Sequence, residues 1–243
     1  MEENDGGYLV LVDGSIPMKN PAYSTIAGIS NVDMLMDTVK GAAAVVAIGS
    51  CAAFGGLPGA DPNPTGAVGV QELVKDKPVV NVPGCPPIPT VMTAVLAQFL
   101  TFGTIPDLDK HGRPLAFFGN TIHDRCYRRP FYEQGKFADT FDDEGAKAGW
   151  CLYKLGCKGP TTYNACATVK WNQGTSFPIE SGHPCLGCSE PKFWDKGSFY
   201  QPLSAGHFGS GAKLAGAAVA GVALGVAAAS AGKRKQAKFT KEA

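Results

Sequence analysis

The chain has 243 residues, enough for one large domain or two small ones. Its 22 Lys and Arg balance 21 Asp and Glu, a formal net charge of +1, so no polyanionic partner is implied and nucleic-acid binding is not expected. Eight cysteines would allow a disulfide framework, but disulfide-dense folds are usually far shorter than this chain.

Residues 1–7, MEENDGG, are acidic and polar and lack the apolar core of a secretory signal. From Tyr8 the first half alternates strand and helix signals. YLVLVDG predicts a buried strand over 8–12, ended by Asp-Gly. Ile26, Ile29, Val32, Leu35, Met36 and Val39 follow a helical period. AAAVVAI at 42–48 reads as a second apolar strand, ended by Gly49-Ser50-Cys51, and 65–74 as a helix after Pro62 and Pro64. VVNV at 79–82 is a third strand, closed by Pro83-Gly84-Cys85-Pro86-Pro87, and Pro89 opens an apolar helix that stops at Gly103. Strands that are apolar throughout and separated by helices predict a parallel sheet covered on both faces. Cys51 and Cys85 each lie just past the carboxyl end of such a strand, the edge where open α/β sheets hold ligands.

The second half has another character. After an expected strand over 115–118, the chain from His123 to Cys188 carries six cysteines as HDRC, CLYKLGC, NAC and HPCLGC. Gly, Pro, aromatic and charged residues fill the intervals, with no long apolar periodicity, so something besides an aliphatic core is expected to hold this half. His123 and Cys126 are three apart, one helical turn, and Cys151 with Cys157 could complete a four-ligand set. Thiolates plus one imidazole suit zinc or an iron–sulfur cluster, and that set alone does not separate them. Cys166, Cys185 and Cys188 remain. Three thiolates without a fourth ligand suit structural zinc poorly, whereas a cuboidal cluster lacking one iron needs only three, so the count favours iron–sulfur. His111 in KHGR reads as a solvated turn, His183 as flanking the CLGC loop, and His207 as preceding a tail helix.

GSCAAFGG with PNPTGA, VPGCPP, HDRC, GWCLYKLGCKGP, NAC and FPIESGHPCLGCSEP resemble the small subunit of nickel–iron hydrogenases. The likeness runs in order from Tyr8 to about Pro202 and uses every cysteine. It implies an α/β fold: a flavodoxin-like parallel-sheet domain over 1–113, a mostly irregular and helical iron–sulfur domain over 114–204, and a tail over 205–243. It implies that His123, Cys126, Cys151 and Cys157 hold a distal [4Fe-4S] cluster, and that Cys166, Cys185 and Cys188 hold a medial [3Fe-4S] cluster. Pro178 stands where a fourth cysteine could otherwise be. Cys51 and Cys85 match two of four ligands of a proximal [4Fe-4S] cluster. The family's other two come from a C-x-x-C in a first βα unit that the resemblance places before Tyr8, together with a twin-arginine export signal, so the chain reads as N-terminally incomplete and its proximal set as half complete. Gly56 falls where oxygen-tolerant members carry an extra cysteine, which makes the chain resemble the standard, oxygen-sensitive type.

The implied function is electron relay from hydrogen oxidation on a large subunit to an outer acceptor, such as a cytochrome b or quinone-linked membrane subunit. Hydrogen itself is split on the large subunit. Arg125, Arg128 and Arg129 near His123 are candidates for steering that acceptor, or ordinary surface charge. Residues 214–232 form a 19-residue stretch without charge, followed by Lys233-Arg234-Lys235, and predict a membrane helix with a cytoplasmic C-terminus. Gly221 and Gly225 form a G-x-x-x-G suited to close helix packing. The protein is thus expected on the periplasmic side of the membrane. Two rivals stand beside this reading. A 20-kDa-type iron–sulfur subunit of a respiratory complex shares the GSCA and PGCPP elements but lacks the HDRC-to-CLGC stretch. A zinc-stabilised, non-redox module would use the same Cys and His.

Overall fold

A computed structural model describes residues 2–197 and 199–203. Three parallel strands, Tyr8–Asp13, Ala42–Ile48 and Val79–Val82, form the main sheet in that order, with Val10 opposite Val45 and Val45 opposite Val79. The expected mixed α/β architecture with a parallel sheet is present. Alternation along the central strand explains why it is apolar at every position: Val45 and Ala47 join one buried cluster with Leu35, Val39 and Val70, while Val46 joins another with Val91, Val95 and Phe118. The central strand is covered on both faces.

Four expectations need correction. The first strand forms, but it has one neighbour among the described residues; Val12 is its buried residue and Leu11 is 52% exposed. The helical period from Ile26 holds only over Asn31–Thr38. Ala27 and Gly28 both take positive φ, which turns Thr25–Ile26 back onto Ile29–Ser30 as a tight hairpin, and Ser30 then caps the helix by accepting from Asp33 N at 3.1 Å. The helix over 65–74 shrinks to Val70–Leu73, because Ala67–Val68 pairs with Ile16–Pro17 and the Asn63 side chain closes the PNPTGA loop onto both main-chain groups of Ala67. Leu115–Phe118 is a helical turn, not a strand; Phe118 N bonds Pro114 O at 2.9 Å, and four apolar residues carry too little periodicity to distinguish the two.

The cysteine-rich half is built from short helices and 3-10 turns, among them His123–Arg125, Tyr153–Leu155 and Ala165–Ala167. It is not without an apolar core. Phe118, Ile122, Leu152, Phe177 and Ile179 pack in one cluster with Val46, Val80 and Val82 of the sheet, and Cys157, Cys166 and Cys185 are buried within it. Among the described residues no helix is long and apolar enough to cross a membrane; the expected span at 214–232, and the domain over 205–243, lie outside them.

Candidate metal centres

All eight cysteines are free thiols. Eight of the nine expected donors, all but Cys51, line two cavities. His123, Cys126, Cys151 and Cys157 line the first together. The 3-10 turn sets His123 and Cys126 side by side, with Cys126 N bonded to His123 O at 3.2 Å; Asp124 anchors the turn by accepting from Thr121 N and Oγ1 at 2.9 and 2.7 Å. Cys151 and Cys157 flank the Tyr153–Leu155 turn. That turn ends at Gly156, where φ is +91° and a Cβ would sit 2.5 Å from the Tyr200 main chain, so only glycine fits. Burial pushes the Cys151 thiol up to about 11, helped by the neighbouring Cys157 and Cys126, and also raises Cys126 and Cys157. Burial, then Arg129, lowers the His123 pKa, which keeps a neutral imidazole available as a ligand. The Tyr132 ring packs edge-on to His123 at 4.5 Å between centroids.

Cys166, Cys185 and Cys188 line the second cavity, of about 80 Å³, with Pro178 and His183 in its wall. The Cys188 residue keeps some exposed surface, but its sulfur is enclosed, and burial followed by the Cys166 charge pushes its pKa up to about 12. Cys185, fully enclosed, is raised well above the usual range by burial and by Cys157 and Cys188. Two polar groups of this wall have no hydrogen-bond partner among the described residues: Asn164 Oδ1, whose amide can also present Nδ2, and the Trp171 indole N–H, which leans toward Cys166 without reaching bonding geometry.

Cys51, in the helical turn Gly49–Phe54, and Cys85, after Val79–Val82, stand at the carboxyl ends of adjacent strands as expected. Burial and the Cys51 charge raise the Cys85 pKa. Gly56 has φ +55° and a Cβ there would meet Cys51 Sγ at 2.6 Å. Cys85 also borders the three-thiol cavity, and its charge acts on Cys188 as that of Cys157 acts on Cys185. The three groups are therefore electrostatic neighbours in a line.

Crowded, buried thiols whose ionisation is disfavoured are stable as ligands only if an inorganic cation compensates them. Among the described residues no three His, Cys, Asp or Glu side chains converge closely enough for one ion. Donors spread around a cavity, with an orphaned N–H beside them, fit a larger group bearing its own acceptor atoms, as an iron–sulfur cluster does.

Several supporting residues carry no motif signal. Ser50 is the hub: its Oγ accepts from Gly84 N at 2.9 Å and donates to Cys188 O, joining the loops of Cys51, Cys85 and Cys188. Arg113, 2% exposed, bonds Asp109 Oδ2 and Glu190 Oε1, each at 2.8 Å, and Ser189 O at 3.0 Å, so it ties the residues after Cys188 to the loop after the sheet. The turn at His111 is correspondingly half-buried, not solvated; its carbonyl accepts from Asn81 Nδ2 at 2.7 Å. Of the three arginines near His123, Arg128 is buried against Tyr127 and Trp150 O, Arg129 pairs with Glu133, and Arg125 is exposed.

Comparison with known proteins gives two matching family models. Residues 118–201 match the family that describes the C-terminal part of NiFe/NiFeSe hydrogenase small subunits, and residues 1–99 match the NADH ubiquinone oxidoreductase 20 Kd subunit family. The chain is 52% identical over 225 residues to an uptake hydrogenase small subunit of Azotobacter vinelandii, covering 91% of this chain and 63% of that protein. It is 49% identical over 197 residues to the hydrogenase-1 small chain of Escherichia coli K12, covering 81% and 53%. It spans less than two thirds of the length of these relatives. Among solved structures, an active Ni-Fe-Se hydrogenase from Desulfomicrobium baculatum superposes with a TM-score of 0.74 at 35% identity, over 83% of this chain and 78% of that one.

Proposed function

The chain belongs to the small-subunit family of nickel–iron hydrogenases, and from that premise we propose that it is the electron-relay subunit of an uptake hydrogenase. The observation that carries this is the line of donor groups: four donors around one cavity and three around the next, with Cys85 reaching from the second toward Cys51. We assign His123, Cys126, Cys151 and Cys157 to a distal [4Fe-4S] cluster and Cys166, Cys185 and Cys188 to a medial [3Fe-4S] cluster. Cys51 and Cys85 are assigned to a proximal [4Fe-4S] cluster. Pro178 in the three-thiol wall supports the three-iron form, since it offers no fourth ligand there. The domain division we propose is 1–113 for the sheet and 114–204 for the cluster-binding half.

Clusters at these positions supply one-electron redox chemistry. The chain's own residues hold them and tune them. Cys185 and Cys166 are buried with Ile122, Phe177 and Ile179 in one apolar cluster. The Trp171 N–H in that wall is a donor without a partner among the described residues, and donors to cluster sulfur favour the reduced state. His123 contributes a neutral ligand in place of a thiolate, which raises the potential of the outer position, and Tyr132 fixes its ring. The half-exposed His123 and exposed Tyr127 and Arg125 mark the exit face.

The partner we propose at the Cys51–Cys85 end is a hydrogenase large subunit, on which hydrogen is split; electrons leave past His123 to a cytochrome b or quinone-linked acceptor at the periplasmic side of the membrane. A respiratory-complex role has the 1–99 match in its favour, but the donors of both cavities other than Cys85 lie beyond that range. The test is iron and acid-labile sulfide analysis with EPR on the purified full chain. Iron with sulfide and a three-iron signal on oxidation are expected; zinc, or linked disulfides in a colourless protein, would refute the assignment.

A further inference from the structure

Resting on the cluster assignment above, we propose that Trp171 donates its indole N–H to the sulfur of the group held by Cys166, Cys185 and Cys188, and so raises the reduction potential of that medial position alone. Among the described residues, Trp171 is the one tryptophan that lines the three-thiol cavity, and none lines the four-donor cavity. Its ring is partly buried against the apolar cluster that holds Cys166 and Cys185. Its Nε1 is enclosed, leans toward Cys166 and meets no acceptor among the described residues. A buried donor without an acceptor costs free energy that an all-carbon ring in the same place would avoid. A group bearing its own sulfide supplies the acceptor.

The backbone on either side of Trp171 is held in an unfavourable form. Lys170 has φ +58°, and Asn172, Gln173 and Gly174 follow at +49°, +58° and +85°. Asparagine and glycine accept the left-handed region; lysine and glutamine are strained there. Asn172, Gln173, Gly174 and Thr175 are all exposed, so no side chain of the turn gains burial in return. What the turn fixes is residue 171. The Trp171 main-chain N–H donates to Ser176 O at 2.7 Å, and Thr175 N–H donates to Trp171 O at 2.9 Å. Lys170 pairs with Glu180 at 2.9 Å, which ties the turn to the chain beside Ile179, another residue of the cavity wall. Both main-chain groups of Trp171 are thus engaged, and its remaining polar atom is the one at the cavity. Gly187 makes the same kind of contact within the chain, its N–H donating to Cys185 Sγ at 3.4 Å. Reduction adds negative charge to the sulfur and strengthens such a bond, so removing the donor disfavours the reduced state.

The test is an EPR-monitored redox titration of the full chain purified with its iron and sulfide, comparing the native protein with Trp171→Phe, which keeps an aromatic ring and loses the donor. Expected are full iron content, a three-iron midpoint moved negative and a four-iron midpoint unmoved. An unmoved three-iron midpoint at full iron content overturns the proposal. So does an equal shift at both positions, which would assign the effect to packing. A second measurement uses native protein grown on tryptophan with an isotopically labelled indole nitrogen. Coupling of that nitrogen to the three-iron signal by pulsed EPR is expected. Its presence or absence decides for or against the proposal even where Trp171→Phe takes up no iron. Trp150 and Trp194 line neither cavity and give no such coupling. A native chain without iron and sulfide would sink the cluster assignment itself, a result distinct from clusters that are present and indifferent to the indole.

Discussion

The four-donor and three-thiol cavities lie side by side and differ in what surrounds them. The first opens toward solvent on one flank, where His123 and Cys126 are half-buried, Tyr127 is exposed and the charges of Arg129, Asp124 and Glu133 pair with one another. The second holds Cys185 fully enclosed beside the buried Phe177, has Pro178 and Cys85 at its exposed margin, and carries two polar groups without a partner among the described residues. On the proposed assignment, the flank with His123, Tyr127 and Arg125 is the one placed to meet a partner, and the three-thiol group is the one between the other two.

The largest test of this contrast is removal of one ligand from each side. Cys188→Ala is expected to abolish the three-iron EPR signal and leave the four-iron signal, and Cys157→Ala to do the reverse; loss of both signals in either variant would show one joint centre instead of two. Next in size is Arg113→Met, which leaves Asp109 and Glu190 without their cation and should cost about 3–5 kcal/mol by chemical denaturation. His123→Gly in the assembled enzyme should slow hydrogen oxidation at least about tenfold with a slow outer acceptor while leaving cluster content at the inner position unchanged. Unaltered turnover would remove His123 from the exit. Ser50→Ala deprives Gly84 N of its acceptor and should cost about 1–3 kcal/mol, loosening Cys85 and Cys188 together.

The smallest effect is acid sensitivity at Asp109. Burial acts to raise its pKa, but hydrogen bonds from Arg113 and His111 and the Arg113 charge outweigh it and hold the pKa below the ordinary 3.8. A depressed carboxyl contributes stability that is complete above the unfolded value and lost as pH falls through the folded one. Stability should therefore decline below about pH 4 with a component that Asp109→Asn lacks. An identical acid profile in Asp109→Asn would show that other carboxylates govern the decline.

Three parallel strands and the long helix after Pro89 were legible in the chain alone, as were the cysteines and the histidine that line the two cavities. Each is written in residue type and short-range order: apolar runs of strand length, a proline at a helix start, thiols beside glycine. Such order could not tell the helical turn Leu115–Phe118 from a strand, nor foresee that Ala27-Gly28 would fold the start of an apparent helix into a hairpin, because four-residue stretches are decided by what they pack against. It took the folded arrangement to establish that Leu11 of an apolar run is exposed, that Cys85 reaches toward two groups, and that Ser50 and Arg113 support the donor loops. Those facts rest on contacts between residues up to 138 positions apart, such as Ser50 with Cys188, and on burial, which turns an ordinary serine or arginine into a fixed hydrogen bond or ion pair.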